Sequence, residues 1–155
     1  MNLENLKKEI KEKLGVNPIT SKEIQNVEKN LSIELPKLFK ELNAICSYEY
    51  SNWGSFLNFG SNSNESVISA TSGIRERYPN LNQDIVLYLD DAGIVLMNTT
   101  SDDGRVTWCS IYDLENYINK GEMQYGYDFF PTFPDFFKYL LDEEEKSRAE
   151  DEVSK

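Results

Sequence analysis

The side chains with the most obvious chemical potential are two pairs of neighbouring acids. Asp90-Asp91 and Asp102-Asp103 each lie within two residues of a glycine in a short segment between apolar runs. Two carboxylates that converge on one cleft can act as a general acid and a general base. A carboxylate-dependent hydrolase is therefore one hypothesis, and it requires one of these acids to line a concave pocket that raises its pKa. Adjacent acids in such segments more often serve turn geometry and solvation.

Other catalytic and ligand-binding patterns are missing from the sequence. The chain contains no histidine, which removes the commonest general base and metal ligand. It has neither a P-loop nor a glycine-rich dinucleotide fingerprint, and its acidic pairs lack the alternating spacing of an EF-hand loop. Cys46 and Cys109 are too few for a disulfide scaffold and are expected to be reduced and buried. We expect no enzyme activity, no cofactor and no metal site.

The charge indicates what kind of partner the protein binds. A net charge of −11 repels nucleic-acid phosphates and anionic lipid headgroups and attracts basic proteins. Direct binding to nucleic acid or to a membrane is therefore disfavoured. Residues 1–14 mix leucine and isoleucine with lysine and glutamate instead of forming a signal segment, and no apolar run has bilayer length. We expect a cytoplasmic protein.

Helices are predicted before the first strand, and a further helix is predicted after it. Apolar residues spaced by three and four predict a first helix over residues 3–14, which ends at Gly15. Thr20 and Glu23 form a capping box that predicts the start of the second helix, and Pro36 suits the first turn of the third. A strand is predicted over residues 53–59, followed by a helix within residues 62–78.

The later segments predict an antiparallel meander closed by helices. Two β-branched runs flank Asp90-Asp91-Ala92-Gly93, which indicates a hairpin, and a second turn at Asp102-Asp103-Gly104 leads into a third strand. A short helix is predicted over residues 113–119, an aromatic loop over 121–130, and a last helix beginning after Thr132. The fold class is therefore α+β, a mainly antiparallel sheet of four or more strands flanked by N-terminal helices and a C-terminal helix, with helices covering one side.

The domain is predicted to span residues 1–141. Residues 142–155 hold seven acids and three bases, so we expect an acidic tail that frays. Trp108 and the apolar stripe of the last helix, which includes Phe133, Phe136 and Phe137, are assigned to the core by their periodicity.

Candidate partner-binding residues are aromatic and acidic side chains in predicted loops. Tyrosine and tryptophan are favoured anchors of protein interfaces, and exposed acids steer basic partners, although each of these residues could instead serve packing or turn geometry. The candidates are Tyr48, Tyr50, Trp53, Asp90, Asp91, Asp102, Asp103, Tyr125, Tyr127 and Asp128.

The order of these motifs resembles the SUKH superfamily of bacterial toxin-immunity proteins. The segment ITSKEIQNVEKNLSIELPKLFKEL resembles the N-terminal signature of that family, and IVLYLDDAGIVLMNTT, RVTWCS and FPTFPDFF resemble its hairpin, next strand and closing helix. The resemblance spans roughly residues 19–141. It implies a non-enzymatic immunity protein that binds and neutralises a cognate toxin, basic and most often a nuclease. The alternative it implies is a scaffold or regulator of the same fold with no toxin partner.

Overall fold

The structure contains six α-helices and four strands among the described residues. The protein is described by a computed structural model, which covers residues 2–51 and 55–153. The helices are α1 (Leu3–Leu14), α2 (Ser21–Leu31), α3 (Lys37–Asn43), α4 (Val67–Arg77), α5 (Leu114–Lys120) and α6 (Phe133–Val153). The strands are β1 (Asp84–Leu89), β2 (Gly93–Asn98), β3 (Val106–Ser110) and β4 (Tyr127–Phe130). Among these described residues, no helix is both long enough and apolar enough to cross a membrane.

Local capping signals begin and end the helices where the sequence predicts. The Glu23 N–H donates to Thr20 Oγ1 at 3.2 Å and the Thr20 N–H donates to Glu23 Oε1 at 3.0 Å, so the capping box of α2 is formed. At the start of α6 the Asp135 N–H donates to Thr132 Oγ1 at 3.2 Å. Gly15 ends α1 with a φ of 85°, a conformation that glycine adopts without strain.

The sheet is an antiparallel meander of four strands in the order β1-β2-β3-β4. The predicted α+β class is therefore confirmed. Helices cover both faces of the sheet, whereas the sequence had predicted cover on one side. One core joins the inward side of the sheet to α1, α2, α3 and α6, and a smaller core lies between the opposite face and α4 and α5. The apolar run of β2, GIVLMN, is buried on both faces for this reason.

Tyr48 lies at the centre of the larger core. Its ring contacts Phe39, Phe56, Phe59 and Phe133 at centroid distances between 4.9 and 6.3 Å, and the residue is fully buried. Its hydroxyl has no hydrogen-bond partner among the described residues. Burial raises the pKa of Tyr48 well above its ordinary value, so the phenol stays neutral.

We expect the Tyr48→Phe variant to be more stable than the wild-type protein. The substitution keeps the ring and removes a buried hydroxyl that has no hydrogen-bond partner among the described residues. Burying such a group costs about 1 kcal/mol or more. Thermal unfolding followed by circular dichroism should show a midpoint about 3 °C higher. An unchanged or lower midpoint would mean that the hydroxyl is satisfied in solution.

Two segments differ from their predicted conformation. Residues 55–59, the described part of the predicted strand 53–59, form no strand, because their backbone bonds go to two different segments. The Leu57 N–H donates to the Leu87 carbonyl at 3.1 Å, and the Asn58 N–H donates to the Glu65 carbonyl at 2.9 Å. Residues 127–130, predicted as loop, form β4 and pair with β3.

The acidic segment after residue 141 was predicted to be a frayed tail. It instead continues α6 to Val153. Three ion pairs within the helix join residues three or four apart, and a fourth joins Lys13 Nζ of α1 to Glu145 at 2.7 Å. Such pairs lie on neighbouring turns and stabilise a helix by about 0.2 to 0.5 kcal/mol each. The charge run therefore supports a helix that also contacts α1.

Candidate protein-binding surface

The two acidic pairs lie at opposite ends of the sheet. Asp90 and Asp91 join β1 to β2, whereas Asp102 and Asp103 join β2 to β3. Successive turns of an antiparallel meander alternate between the two ends of the strands. The four carboxylates therefore do not converge on one cleft.

The Asp102-Asp103 turn uses its main chain to hold two helix N-termini. The Asp102 carbonyl accepts the Leu38 N–H at 3.1 Å, and the Asp103 carbonyl accepts the Phe133 N–H at 2.8 Å. The first N–H groups of a helix have no partner inside the helix, so these bonds satisfy donors of α3 and α6. Both side chains point to solvent. The turn has a clear structural role, and its carboxylates remain available only for long-range attraction.

The Asp90 carboxylate organises its own turn. Its Oδ1 atom accepts the Ala92 and Gly93 N–H groups at 2.8 Å each, and the Tyr88 hydroxyl donates to its Oδ2 atom. The Tyr88 hydrogen bond, assisted by these two N–H groups, holds the pKa of Asp90 below its usual range. Asp90 is therefore ionised at neutral pH, the opposite of what a catalytic general acid needs.

The three candidates of the loop around residue 50 have different positions. Tyr48 is a core residue and does not reach the surface, so its assignment to a partner-binding site is corrected. Tyr50 is 55% exposed and, with the half-buried Glu49, lines a cleft of about 360 Å³. Trp53 lies outside the described residues. Tyr50 lines this cleft together with Asn58 and Phe59. The neighbouring Leu57 N–H donates to the Leu87 carbonyl of β1, so Tyr50 lies on the β1 side of the sheet.

Glu49 gives this cleft a titratable carboxylate. Burial raises the pKa of Glu49 above its usual range, partly offset by hydrogen bonds from the Ser47 hydroxyl and the Phe59 N–H. Its neighbour Glu23 raises the pKa further. No cation within 4 Å pairs with the Glu49 carboxylate among the described residues.

The stability of the protein should depend on pH through Glu49. Since the folded pKa exceeds the unfolded one, the folded state binds the proton more tightly, and stability falls as the pH rises above about 4.5. The Glu49→Gln variant lacks this titration. Between about pH 4 and pH 7 the wild type should therefore lose unfolding free energy that the variant keeps. Urea unfolding at several pH values measures the difference. Parallel curves for the two proteins would contradict the expectation.

Exposed aromatic side chains gather at the β4 edge of the sheet. Among the described residues, four of the seven large apolar side chains that are exposed lie there. They are Tyr112 (78% exposed), Tyr125 (69%), Tyr127 (55%) and Phe129 (51%), and we call them the aromatic edge. Asp128 is exposed between the last two. Clustered exposed apolar side chains are typical of protein-interaction sites.

Buried groups fix the aromatic edge in place. The carboxylate of Asp113 is fully buried and accepts the Gln124 N–H at 3.0 Å and the Tyr125 N–H at 2.9 Å. The rings of Tyr112 and Tyr125 meet edge to face at 6.2 Å. On the opposite face of β4, Phe130 packs on Phe136 at 5.3 Å, so the strand is anchored to α6. The exposed aromatics therefore belong to an ordered surface.

We expect Asp113→Asn to loosen the segment that carries Tyr125. The asparagine side chain has a single acceptor oxygen, and its NH2 group would face either the Gln124 N–H or the Tyr125 N–H. One of the two buried hydrogen bonds is therefore lost. The loss should cost about 1.5 to 3 kcal/mol of unfolding free energy and speed amide exchange at Tyr125. Asp128→Asn is the control, because an exposed substitution usually changes stability by about 0.5 kcal/mol or less. Equal stability of the two variants would contradict this role.

Tyr112 and Phe129 were missed in the sequence, whereas Tyr125, Tyr127 and Asp128 were among its candidates. In the segment YDFF, Tyr127 and Phe129 alternate with Asp128 and Phe130, which is the period of a strand. That signal would have placed Phe129 beside Tyr127 if the segment had been recognised as a strand. Tyr112 had no such signal, because its contact with Tyr125 comes from the return of the chain after α5.

The acidic turn of Asp90 and Asp91 lies at the same end of the sheet as most of the aromatic edge. The Ile111 N–H donates to the Ala92 carbonyl at 3.0 Å, directly before Tyr112, and Cys109 of β3 pairs with Tyr127. With strands about 4.8 Å apart, the turn and β4 are separated by roughly 10 to 12 Å. A protein interface of standard size, about 800 Å² on each partner, spans that distance, so one partner can contact both.

The remaining reactive groups do not form a recognisable centre. Within the described residues, no group of three or more histidine, cysteine, aspartate or glutamate side chains could hold a metal ion. Cys46 and Cys109 are free and buried. Burial, together with the nearby charge of Asp113, raises the pKa of Cys109 to about 11, so its thiol is protonated at neutral pH.

Comparisons with family models, curated proteins and solved structures found no match to this chain. The resemblance to the SUKH superfamily therefore remains a prediction made from the sequence motifs.

Proposed function

We propose that the protein binds a basic partner protein through the aromatic edge, and that it acts as an immunity protein that neutralises this partner. The observation that carries the proposal is the concentration of exposed aromatic side chains along one ordered edge of the sheet. Aromatic residues supply large apolar contact area and dominate the energetics of many interfaces. An isolated exposed tyrosine would need no explanation, but an ordered group of four does.

The charge of the protein favours a basic partner. The net charge of −11 attracts cationic surfaces from a distance, and the ionised Asp90 with its neighbour Asp91 lies at the end of the sheet where a partner would meet Tyr112 and Tyr125. Electrostatic attraction of this kind mainly speeds association and is weakened by salt. The aromatic edge would then hold the partner once it has arrived.

A toxin is the partner that we favour. The order of the motifs resembles the toxin-immunity proteins of the SUKH superfamily, and a nuclease toxin has a basic cleft that complements an acidic protein. Such a protein acts by binding alone, in the cytoplasm, without turnover and without a cofactor. Its partners would include neither nucleic acid nor a membrane.

The proposal is tested by capture with the tagged, full-length protein from extracts of its native cells and from the products of neighbouring genes. We expect one basic protein to be recovered at a stoichiometric ratio, and we expect the purified protein to inhibit its toxicity or nuclease activity. Recovery of a stoichiometric partner whose activity is unaffected would favour the scaffold alternative and overturn neutralisation. Recovery of no stoichiometric partner would overturn the proposal.

A further inference from the structure

The hydrogen bonds of the sheet reveal which backbone groups of β4 point away from it. The Asn98 N–H donates to the Arg105 carbonyl at 2.8 Å, and the Ile111 N–H donates to the Ala92 carbonyl at 3.0 Å. Arg105 and Ile111 therefore direct their backbone groups toward β2. Because the direction alternates along an antiparallel strand, the even-numbered residues between them direct theirs toward β4.

The pairing of β3 with β4 completes this assignment. Val106 pairs with Phe130 and Trp108 pairs with Asp128, so Asp128 and Phe130 exchange hydrogen bonds with β3. The N–H and C=O groups of Tyr127 and Phe129 consequently point outward. These two residues also expose their aromatic side chains, so main-chain donors and acceptors and apolar contact area occur at the same positions.

The two outer edges of the sheet differ in how they are closed. At β1 the outward Val86 N–H donates to the Thr71 hydroxyl at 2.9 Å, and the Leu87 carbonyl accepts the Leu57 N–H at 3.1 Å. At β4, no group in residues 2–51 and 55–153 makes a hydrogen bond to the outward N–H or C=O of Tyr127 or Phe129. An edge left open in this way is a template for another strand.

We propose that the partner binds by adding an extended, lysine- or arginine-bearing segment to the open edge of β4 as a further strand of the sheet. This inference rests on the proposed function and specifies how the partner is held. In strand addition, main-chain hydrogen bonds supply affinity and alternate side chains supply specificity. Tyr127 and Phe129 would flank the added strand on one face, and Asp128 would face its basic side chains on the other.

A second copy of this protein is a poor occupant of the same edge. Each copy carries a net charge of −11, and pairing β4 with β4 would bring two Asp128 carboxylates to neighbouring strands. Like charges on paired strands are destabilising. A basic segment is instead attracted, since its cations would lie next to the exposed Asp128.

Amide exchange in the full-length protein tests the inference directly. The probe is a synthetic peptide of about ten residues that alternates lysine with valine and threonine, and its counterpart has glutamate in place of lysine. We expect the basic peptide to slow exchange at Tyr127 and Phe129 by about tenfold or more, while Asp128 and Phe130, which already pair with β3, change little. The glutamate peptide should change neither pair. Binding without slower exchange, or no binding at millimolar peptide, would overturn strand addition.

A pair of variants isolates the backbone contribution. Phe129→Ala removes the ring and keeps the outward N–H, whereas Phe129→Pro removes both, and proline is tolerated at such an edge position. The Phe129→Pro variant should bind the basic peptide about threefold to tenfold more weakly than the Phe129→Ala variant, because it lacks one hydrogen bond to the peptide. Similar unfolding midpoints would show that both variants keep the β3 pairing.

Equal affinity of the alanine and proline variants would overturn strand addition but not the proposed function. The captured partner can still bind through the aromatic side chains alone, which substitution of Tyr127 detects separately. The peptide experiments therefore test strand addition, and capture of the partner tests the proposed function separately.

Discussion

The Phe39→Ala variant is expected to lose about 3 to 5 kcal/mol of unfolding free energy. Phe39 is fully buried, and its ring lies 4.8 Å from Phe133, 5.4 Å from Phe59 and 5.9 Å from Tyr48. Phe39 belongs to α3, and its partners come from α6 and from the segment between α3 and α4, so the truncation leaves a cavity where several elements meet. A domain of ordinary stability has only about 5 to 15 kcal/mol in total. The variant should therefore be close to unfolding.

Urea denaturation followed by fluorescence measures this loss. The midpoint should fall sharply while the slope of free energy against urea stays the same, because the native fold is weakened but not changed. Tyr112→Ala is the matched aromatic control, since that side chain is mostly exposed and its loss should cost about 0.5 kcal/mol or less. A small effect at Phe39 would mean that the rings around it can close the cavity.

The parts of the fold that the sequence predicted correctly depend on local signals. The capping box of Thr20 and Glu23, the Asp90 turn and the apolar stripe of α6 each lie within a few neighbouring residues. Their physical causes, a side chain that caps a helix or a carboxylate that closes a turn, act over the same short range. Such features can be recognised without knowing what packs against them.

The errors concern features that distant residues decide. Nothing in its neighbourhood distinguishes Tyr48, which Phe133 and Phe59 enclose, from Tyr50, which is exposed. The strand β4 exists because β3 supplies its partners, and α6 extends past residue 141 while Lys13 of α1 holds Glu145. Trp108 shows the same limit, since it packs against the core but remains only half-buried at its strand position.

The candidate site was only partly predictable for the same reason. Tyr125, Tyr127 and Asp128 were recognised as aromatic and acidic residues of a predicted loop. The edge strand places Tyr127 and Asp128 side by side with their side chains on opposite faces of the sheet. The acidic pairs were recognised as turns. Only the order of the strands shows that Asp90 lies at the end of the sheet beside Tyr112. Asp102 lies at the opposite end. Residue type therefore suggested the candidate residues, and topology showed which of them lie at one edge of the sheet.

Replacing both Tyr127 and Phe129 by alanine is expected to weaken binding of the captured partner by about 2 to 4 kcal/mol, roughly a thirtyfold to eight-hundredfold loss of affinity. Both side chains are about half exposed, so they contribute little to stability but offer large area to a partner. Titration calorimetry measures the affinity, and an unfolding curve verifies that the fold is intact. The loss should arise mainly from faster dissociation, because contacts made after docking govern how long a complex lasts.

Tyr50→Ala is the matched control for the aromatic edge. Tyr50 is a tyrosine with the same exposed fraction as Tyr127, 55%, but it lies on the β1 side of the sheet, and its loss should leave the affinity nearly unchanged. Replacing Asp90 and Asp91 by asparagine should instead slow association, with an effect that added salt suppresses. If Tyr50→Ala weakened binding as much as the double variant, the interface would lie on the β1 side, and the open edge of β4 would need another explanation. Loss confined to β4 would connect the exposed aromatics to partner binding, because Tyr50 and Tyr127 match in residue type and in exposed fraction.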